Sequence, residues 1–208
     1  MYYEGQGCPK DYKQAVKWFT KAAEQGHVDA QSNLGVMYYN GEGVLPDFEK
    51  AVMWYSKAAE QGHVQSQYNL GVMYDKGRGV PQDEKQAVVW YTKAAEKGLL
   101  LAQFNLGSMY AFGEGVLQNY EQAFHWYTKA AEQGDALAQN NLGVMYSIGN
   151  GVPKDIVIAF TWGKIAAVNG YSPKLMEVLS EQMTNEQIAE GQKLSREMVK
   201  ANPKLLGN

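Results

Sequence analysis

The chain has 208 residues, 45% of them apolar and 12% aromatic, with a formal charge of −3. That is ample material for a core, so disorder is excluded, and the acidic balance argues against a phosphate-binding surface as the main business. Glycine, at 22 residues, is well above its usual share of about 7% but does not recur at every third position, which excludes collagen. No apolar run approaches the ~18 residues of a membrane span, and the opening residues carry no signal-peptide pattern. A single cysteine, Cys8, permits no intrachain disulfide.

An internal repeat explains the glycines. Trp18, Trp54, Trp90, Trp126 and Trp162 follow one another at 36 residues without exception. Leu34, Leu70, Leu106 and Leu142 keep the same step, each followed by glycine and, three residues later, by Tyr38, Tyr74, Tyr110 or Tyr146. All glycines except Gly163, Gly191 and Gly207 occupy repeating positions. A fixed period of this length signals stacked supersecondary units.

Met1 aligns with Met37, Met73, Met109 and Met145, so the chain opens inside a first helix. The partner helix, 11–25, is expected to show an uncovered apolar face around Tyr2, Tyr3, Val16 and Phe19, since terminal repeats normally carry a polar outer face. The expectation is a fragment of a longer protein, or self-association through this end. The compartment is then periplasmic or secreted for a piece of an exported protein, and cytoplasmic for a complete chain. Each full unit reads as two helices. The first runs from about Ala30 to Asn40, with Ala30, Leu34, Met37 and Tyr38 at helical spacing, and Gly41 terminates it in a left-handed conformation. Asp47 caps the second helix, as do Asp11, Asp83 and Asn119 elsewhere, each of these three with glutamine three residues on (Gln14, Gln86, Gln122), a capping-box arrangement. This helix carries Ala51, Trp54, Tyr55, Ala58 and Ala59 on one side, and Gly62 ends it. Gly35 and its equivalents stand inside a helix, at about 1 kcal/mol relative to alanine. Close approach of a neighbouring helix is the expected reason, with the Ala58–Ala59 face opposite. The tryptophans are expected to fill the space between hairpins.

The period decays after Gly170. Ser172-Pro173 opens a short helix to about Glu181, and Thr184 with Gln187 opens a longer amphipathic one that Asn202-Pro203 stops. The expected division is a repeat array over 1–170 and capping helices over 171–208, with a frayed tail after Pro203.

The pattern A-x-x-N-L-G-x-M-Y-x-x-G-x-G-V-x-x-D-x-x-x-A-x-x-W-Y-x-K-A-A-E-x-G resembles the Sel1-like repeat family, a relative of the tetratricopeptide repeat. Ala30 to Gly170 match at most signature positions, and residues 1–29 match the latter part of another unit. The resemblance implies an all-α, right-handed superhelical solenoid of antiparallel helix pairs that binds proteins or peptides. Such members are common in bacteria, often exported, and act as adaptors or host-interaction factors.

Catalytic readings find little support. The G-x-G pairs follow helices rather than strands and lack a third glycine, so they are turns and not nucleotide loops. His27 and His63 lie one repeat apart, about 10 Å for stacked helices, too far to share one metal ion, and no zinc-ligand spacing occurs. Some proteins resembling the family have been described as β-lactamases, yet neither S-x-x-K nor G-x-S-x-G occurs. The paired cysteines of its disulfide-bearing branch are missing too. No enzyme, cofactor, metal or nucleic-acid partner is expected. The expected function is a non-enzymatic protein-binding module; the alternative is a scaffold or regulatory segment of a larger polypeptide.

The expected binding face follows from variation within the chain. On the first helix Ala30, Leu34 and Tyr38 define the buried direction, and Asp29, Ser32, Val36, Tyr39 and Asn40 lie opposite. The slot of Ser32 becomes Tyr68, Phe104 and Asn140; that of Asn40 becomes Lys76, Phe112 and Ile148. In the related tetratricopeptide fold this face lines a concave groove. Tyr39, Tyr68, Phe104 and Phe112 are therefore expected anchors for a protein segment, beside Val36, Val72 and Val144, with Lys76 as the one basic member. Asn33, Asn69, Asn105 and Asn141 recur in every complete repeat. Amides both donate and accept, so they form a ladder for a ligand's extended backbone, or else bond neighbouring helices. The aromatics have the same alternative, as helix-flank packing.

Overall fold

The computed structural model describes residues 11–207, which are helical apart from turns and loops, without a strand. The chain divides into two compact units, Met1–Leu99 and Leu100–Asn208. The first contains α1 (Tyr12–Glu24), α2 (Val28–Asn40), α3 (Phe48–Glu60), α4 (Val64–Lys76) and α5 (Glu84–Glu96), and each packs on the next. The second contains α6 (Leu100–Phe112), α7 (Tyr120–Ala131), α8 (Ala136–Ile148) and α9 (Ile156–Val168), again packed consecutively. It ends in α10 (Lys174–Ser180), α11 (Asn185–Ala201) and a 3-10 turn, Pro203–Leu206, all resting on α9. Tyr2 and Tyr3 lie outside the described residues.

The ends of these helices follow the expected chemistry. Asp11, Asp47, Asp83 and Asn119 each accept the backbone N–H three residues on. At Asp47 the Lys50 N–H, at 2.9 Å, and then the Lys50 ammonium, at 3.0 Å, hold the carboxyl below its ordinary range. These caps are one-sided; the reciprocal glutamine bond of a full capping box forms at Thr184–Gln187. Gly41, Gly77 and Gly149 end α2, α4 and α8 with positive φ, where a side chain would be strained.

The reason for the mid-helix glycines differs from the expected one. A Cβ on Gly35 would lie 2.5 Å from the ring of Tyr55, one on Gly71 2.7 Å from Tyr91, and one on Gly107 2.8 Å from Tyr127. The close neighbour is thus a buried tyrosine ring, not the alanine pair, because the Trp-Tyr pair turns its tyrosine back onto the preceding helix. In the last repeat that tyrosine is replaced by Gly163, and Leu175 from α10 comes within 2.7 Å of the same point on Gly143.

The tryptophans also divide. Trp54, Trp126 and Trp162 are buried, Trp90 is half-buried, and Trp18 is 53% exposed. Each tryptophan resolved in a core packs backwards: Trp54 joins Ala23, Ala30 and Leu34, while Trp90 rests on Ala51, Tyr55 and Leu70. Trp18 has no described helix before it to pack on, which corrects the uniform role expected for the series. Val16 and Phe19, expected on an uncovered face, are half-buried against the Leu34–Trp54 core. The tail after Pro203 is docked rather than frayed. Leu205 is buried with Leu142, Trp162 and Ile165, since an amphipathic end can cover the apolar face that a further helix would otherwise cover.

A line of buried glutamines, not foreseen from the sequence, ties these helices together. Gln31, Gln67, Gln103 and Gln139 recur at the period beside buried alanines. Gln31 donates to the Ala23 carbonyl and accepts from Gln61 at 2.8 Å; Gln103 accepts from Gln133 at 2.7 Å. Gln67 donates to the Ala59 carbonyl, but Lys97 stands where Gln61 and Gln133 stand in other repeats. The Lys97 ammonium bonds the Gly62 carbonyl instead, so Gln67 Oε1 is buried without a partner. An unsatisfied buried acceptor costs about 1–3 kcal/mol, more than an exposed lysine bond returns. Lys97→Gln is therefore expected to stabilise the protein by about 1 kcal/mol, raising Tm by roughly 2–4 °C in a scanning calorimeter. An unchanged or lower Tm would show that the orphaned oxygen carries no penalty.

Candidate binding site

The outward face of the first helix in each repeat is where the sequence places the site, and the first unit shapes it into a pocket. Val36 and Tyr39 of α2 face Tyr68, Asn69 and Val72 of α4 across a hollow of about 230 Å³. Its floor is Tyr55 of α3 and Met73, 3% and 1% exposed. The ring of Tyr55 reaches this depth because Gly35 has no side chain in its path. Asn40 stands at the edge. Five of the expected residues thus converge in the first unit.

Their engagement is uneven. The Tyr39 ring lies 5.3 Å from that of Phe48, and its hydroxyl accepts a hydrogen bond from the Arg78 guanidinium, which also lies over the ring. Arg78 is thus a second basic group at this face, which the sequence reading had limited to Lys76. Lys76 itself is exposed and ion-paired with Asp75 at 3.0 Å. Tyr68 leans on the buried ring of Tyr91, centroids 5.7 Å apart, so it is partly a packing residue. Asn69 Oδ1 accepts from Gln65 at 3.1 Å. Its Nδ2 donates to no described residue and remains available to a ligand carbonyl. Asn33 is half-buried and outside the pocket wall. Ser32, expected on the open face, is buried at 6% and belongs to the interior.

The corresponding residues of the second unit are more deeply committed to its core. Phe104 packs on Tyr127 at 5.7 Å, within the cluster of Leu142 and Trp162. Asn141 and Ser108 lie beside the Tyr127 hydroxyl, which burial pushes above its ordinary pKa against their opposing influence. Here the amide sits against a tyrosine of the neighbouring helix α7. Asn105 is half-buried, and Phe112 and Val144 are exposed, Phe112 at 71%. Tyr55 and Arg78 were missed by the sequence reading. The recurrence of Tyr55, Tyr91 and Tyr127 beside each tryptophan was available as a signal, whereas Arg78 alternates with Glu42, Glu114 and Asn150 and gave none.

Among the described residues no group of three histidine, cysteine or acidic side chains is placed to hold a metal ion, and no helix is long and apolar enough to cross a membrane. His63 caps α4, its ring nitrogen accepting the Ser66 N–H.

Comparison with known proteins agrees with this architecture. The model of the Sel1 repeat matches five consecutive segments, 1–27, 28–63, 64–99, 100–135 and 136–171. Among solved structures, a Sel1 repeat protein from Oxalobacter formigenes is 34% identical, with a TM-score of 0.80 over 94% of this chain and 83% of its own. A protective antigen of uropathogenic Escherichia coli displaying an SLR fold is also 34% identical, with a TM-score of 0.61 over 99% of this chain. This chain spans about half of the E. coli protein's length, 53%. Helicobacter pylori cysteine rich protein B is 27% identical over 62% of this chain and 92% of its own, with a TM-score of 0.50. No curated protein gives a significant match.

Proposed function

The chain belongs to the Sel1 repeat family, whose repeats generally serve as protein–protein interaction modules, and on that premise we propose that it is a non-enzymatic adaptor that grips a protein segment in the first unit. The observation that carries this reading is the pocket of Val36, Tyr39, Tyr68, Asn69 and Val72 over the Tyr55 floor. Its walls are mainly apolar and aromatic, suited to one apolar side chain of a partner, while the Asn69 amide and the Arg78 guanidinium flank it for backbone or acidic groups. Nothing in such an arrangement activates a nucleophile or moves a proton; it binds.

The test uses peptides selected from a random phage-displayed library on the immobilised protein. Because Tyr68 and Phe104 also support the core, the diagnostic variants are Val72→Arg, which fills the pocket mouth, and Asn69→Ala. Selected peptides are expected to share an apolar residue and to lose more than tenfold in affinity to Val72→Arg, at least about 1.4 kcal/mol. Tm is expected to change little. Undiminished binding to both variants in isothermal titration would move the site to another face.

A further inference from the structure

A second cavity lies in the C-terminal cap, between α9, α11 and the 3-10 turn, with a volume of about 350 Å³. Its walls are Ile165 and Val168 of α9, Val199 of α11, and Leu206 of the turn. Ile165 is the floor at 1% exposure, while Val168 and Leu206 remain 66% and 42% exposed. The only hydroxyl in the wall, Ser195, is already bonded to the Gln192 carbonyl at 2.9 Å. A guest in this cavity meets hydrocarbon and nothing else.

The mouth is different. Lys164 of α9 and Arg196 and Lys200 of α11 border the cavity. Because almost none of its wall is polar, they line it with their aliphatic stems and carry their charges outward. None of the three forms an ion pair among the described residues; the ion pair of α11 joins Lys193 to Glu197, at 3.8 Å. Three uncompensated cations at one opening stand against a chain whose net charge is −3. An apolar interior below a ring of unpaired positive charge is complementary to one chemistry, a single hydrocarbon tail with an anionic head.

We propose that the cap binds a medium-chain fatty acid, the tail in the cavity and the carboxylate among Lys164, Arg196 and Lys200. The volume falls at the lower end of small-molecule pockets, about 300–1,000 Å³, which selects short tails over long ones. The site is separate from the first-unit pocket, and its failure would leave the proposed adaptor role untouched.

Isothermal titration of the whole chain with hexanoate, octanoate, decanoate and dodecanoate, below their micellar concentrations, tests it. Each added carbon is expected to strengthen binding about fourfold until the cavity is full, after which affinity levels off. Decyltrimethylammonium, with the same tail and the opposite charge, is expected to bind at least tenfold more weakly than decanoate. Arg196→Gln/Lys200→Gln, at two exposed positions, is expected to erase that preference, and Val199→Trp to abolish binding by filling the cavity. Equal binding of the two head groups, or affinity unaltered by both variants, would overturn the proposal. So would binding to phosphatidylglycerol vesicles without binding of the monomeric acids, which would make this face a bilayer contact instead.

Discussion

Replacing Trp54 with alanine is expected to lower the unfolding free energy by about 3–5 kcal/mol, the range for truncating a buried large aromatic. The indole is 6% exposed and closes the core formed by Ala23 of α1 with Ala30 and Leu34 of α2, with Val16, Phe19 and Tyr38 around it. The small residues facing it cannot expand into the space, so the cavity would persist and its cost would add to the lost transfer energy. The Lys57 ammonium, 4.5 Å from the ring centroid, would lose a partner worth less than about 1 kcal/mol at the surface. Trp90, half-buried, is expected to cost about half as much on truncation, and Trp18, 53% exposed, less than about 1 kcal/mol. The ranking Trp54, Trp90, Trp18 follows exposure, although the three sit at identical positions of the repeat. Urea melts supply the check, with hydrogen exchange to show whether α1–α3 opens before the rest, as nearest-neighbour energetics in repeat arrays allows. Superimposable melts for the parent and Trp54→Ala would remove the indole from the core.

This ranking marks where the sequence was legible and where it stopped being so. Helix limits, caps and terminating glycines followed from local chemistry repeated at a fixed period, and α2 differs from its expected start only by beginning at Val28. What lay between helices was harder. The period showed that Gly35 must face something close, but only the packing shows that the neighbour is the ring of Tyr55. Likewise, the repeat variation that marked Tyr68 and Phe104 as ligand anchors arose partly because those rings lean on Tyr91 and Tyr127. A position can vary among repeats and still pack, provided each ring size finds a partner of its own. Val36, Tyr39 and Val72 form a pocket because they share one face of two adjacent helices, which helical periodicity does reveal. Arg78 joins them from a loop, and loop geometry has no periodicity to read.

The glutamine line offers the sharper case, because polarity at a buried position runs against pattern reasoning. Gln139 has no exposed surface, and its amide is fully used. Nε2 donates to the Ala131 carbonyl at 3.1 Å and to the Leu205 carbonyl at 2.7 Å, while Oε1 accepts from Asn169 at 2.7 Å. It therefore fastens α7, α8, α9 and the C-terminal turn at a single point. Gln139→Leu keeps much of the volume but removes all three bonds. Neither carbonyl is stranded, since Ala131 O keeps the Gly134 N–H at 3.0 Å and Asn169 still reaches the Leu205 carbonyl at 2.6 Å. Each of the three lost bonds contributes about 0.5–1.5 kcal/mol net, so a loss of about 1–3 kcal/mol is expected after the gain in apolar burial. Gln61→Leu, which leaves the buried Gln31 Oε1 in the state of Gln67 Oε1, is expected to cost about 1 kcal/mol, the amount that Lys97→Gln is expected to return. The difference should also be local. With Gln139 gone, the turn at Pro203–Leu206 loses one of its two amide anchors, and limited proteolysis is expected to cut after Lys200 or Lys204 well before the parent is cut there. If Gln139→Leu melts with the parent and its tail resists protease equally, then burial of Leu205 alone holds the end of the chain, and the glutamines merely avoid a penalty without joining the helices.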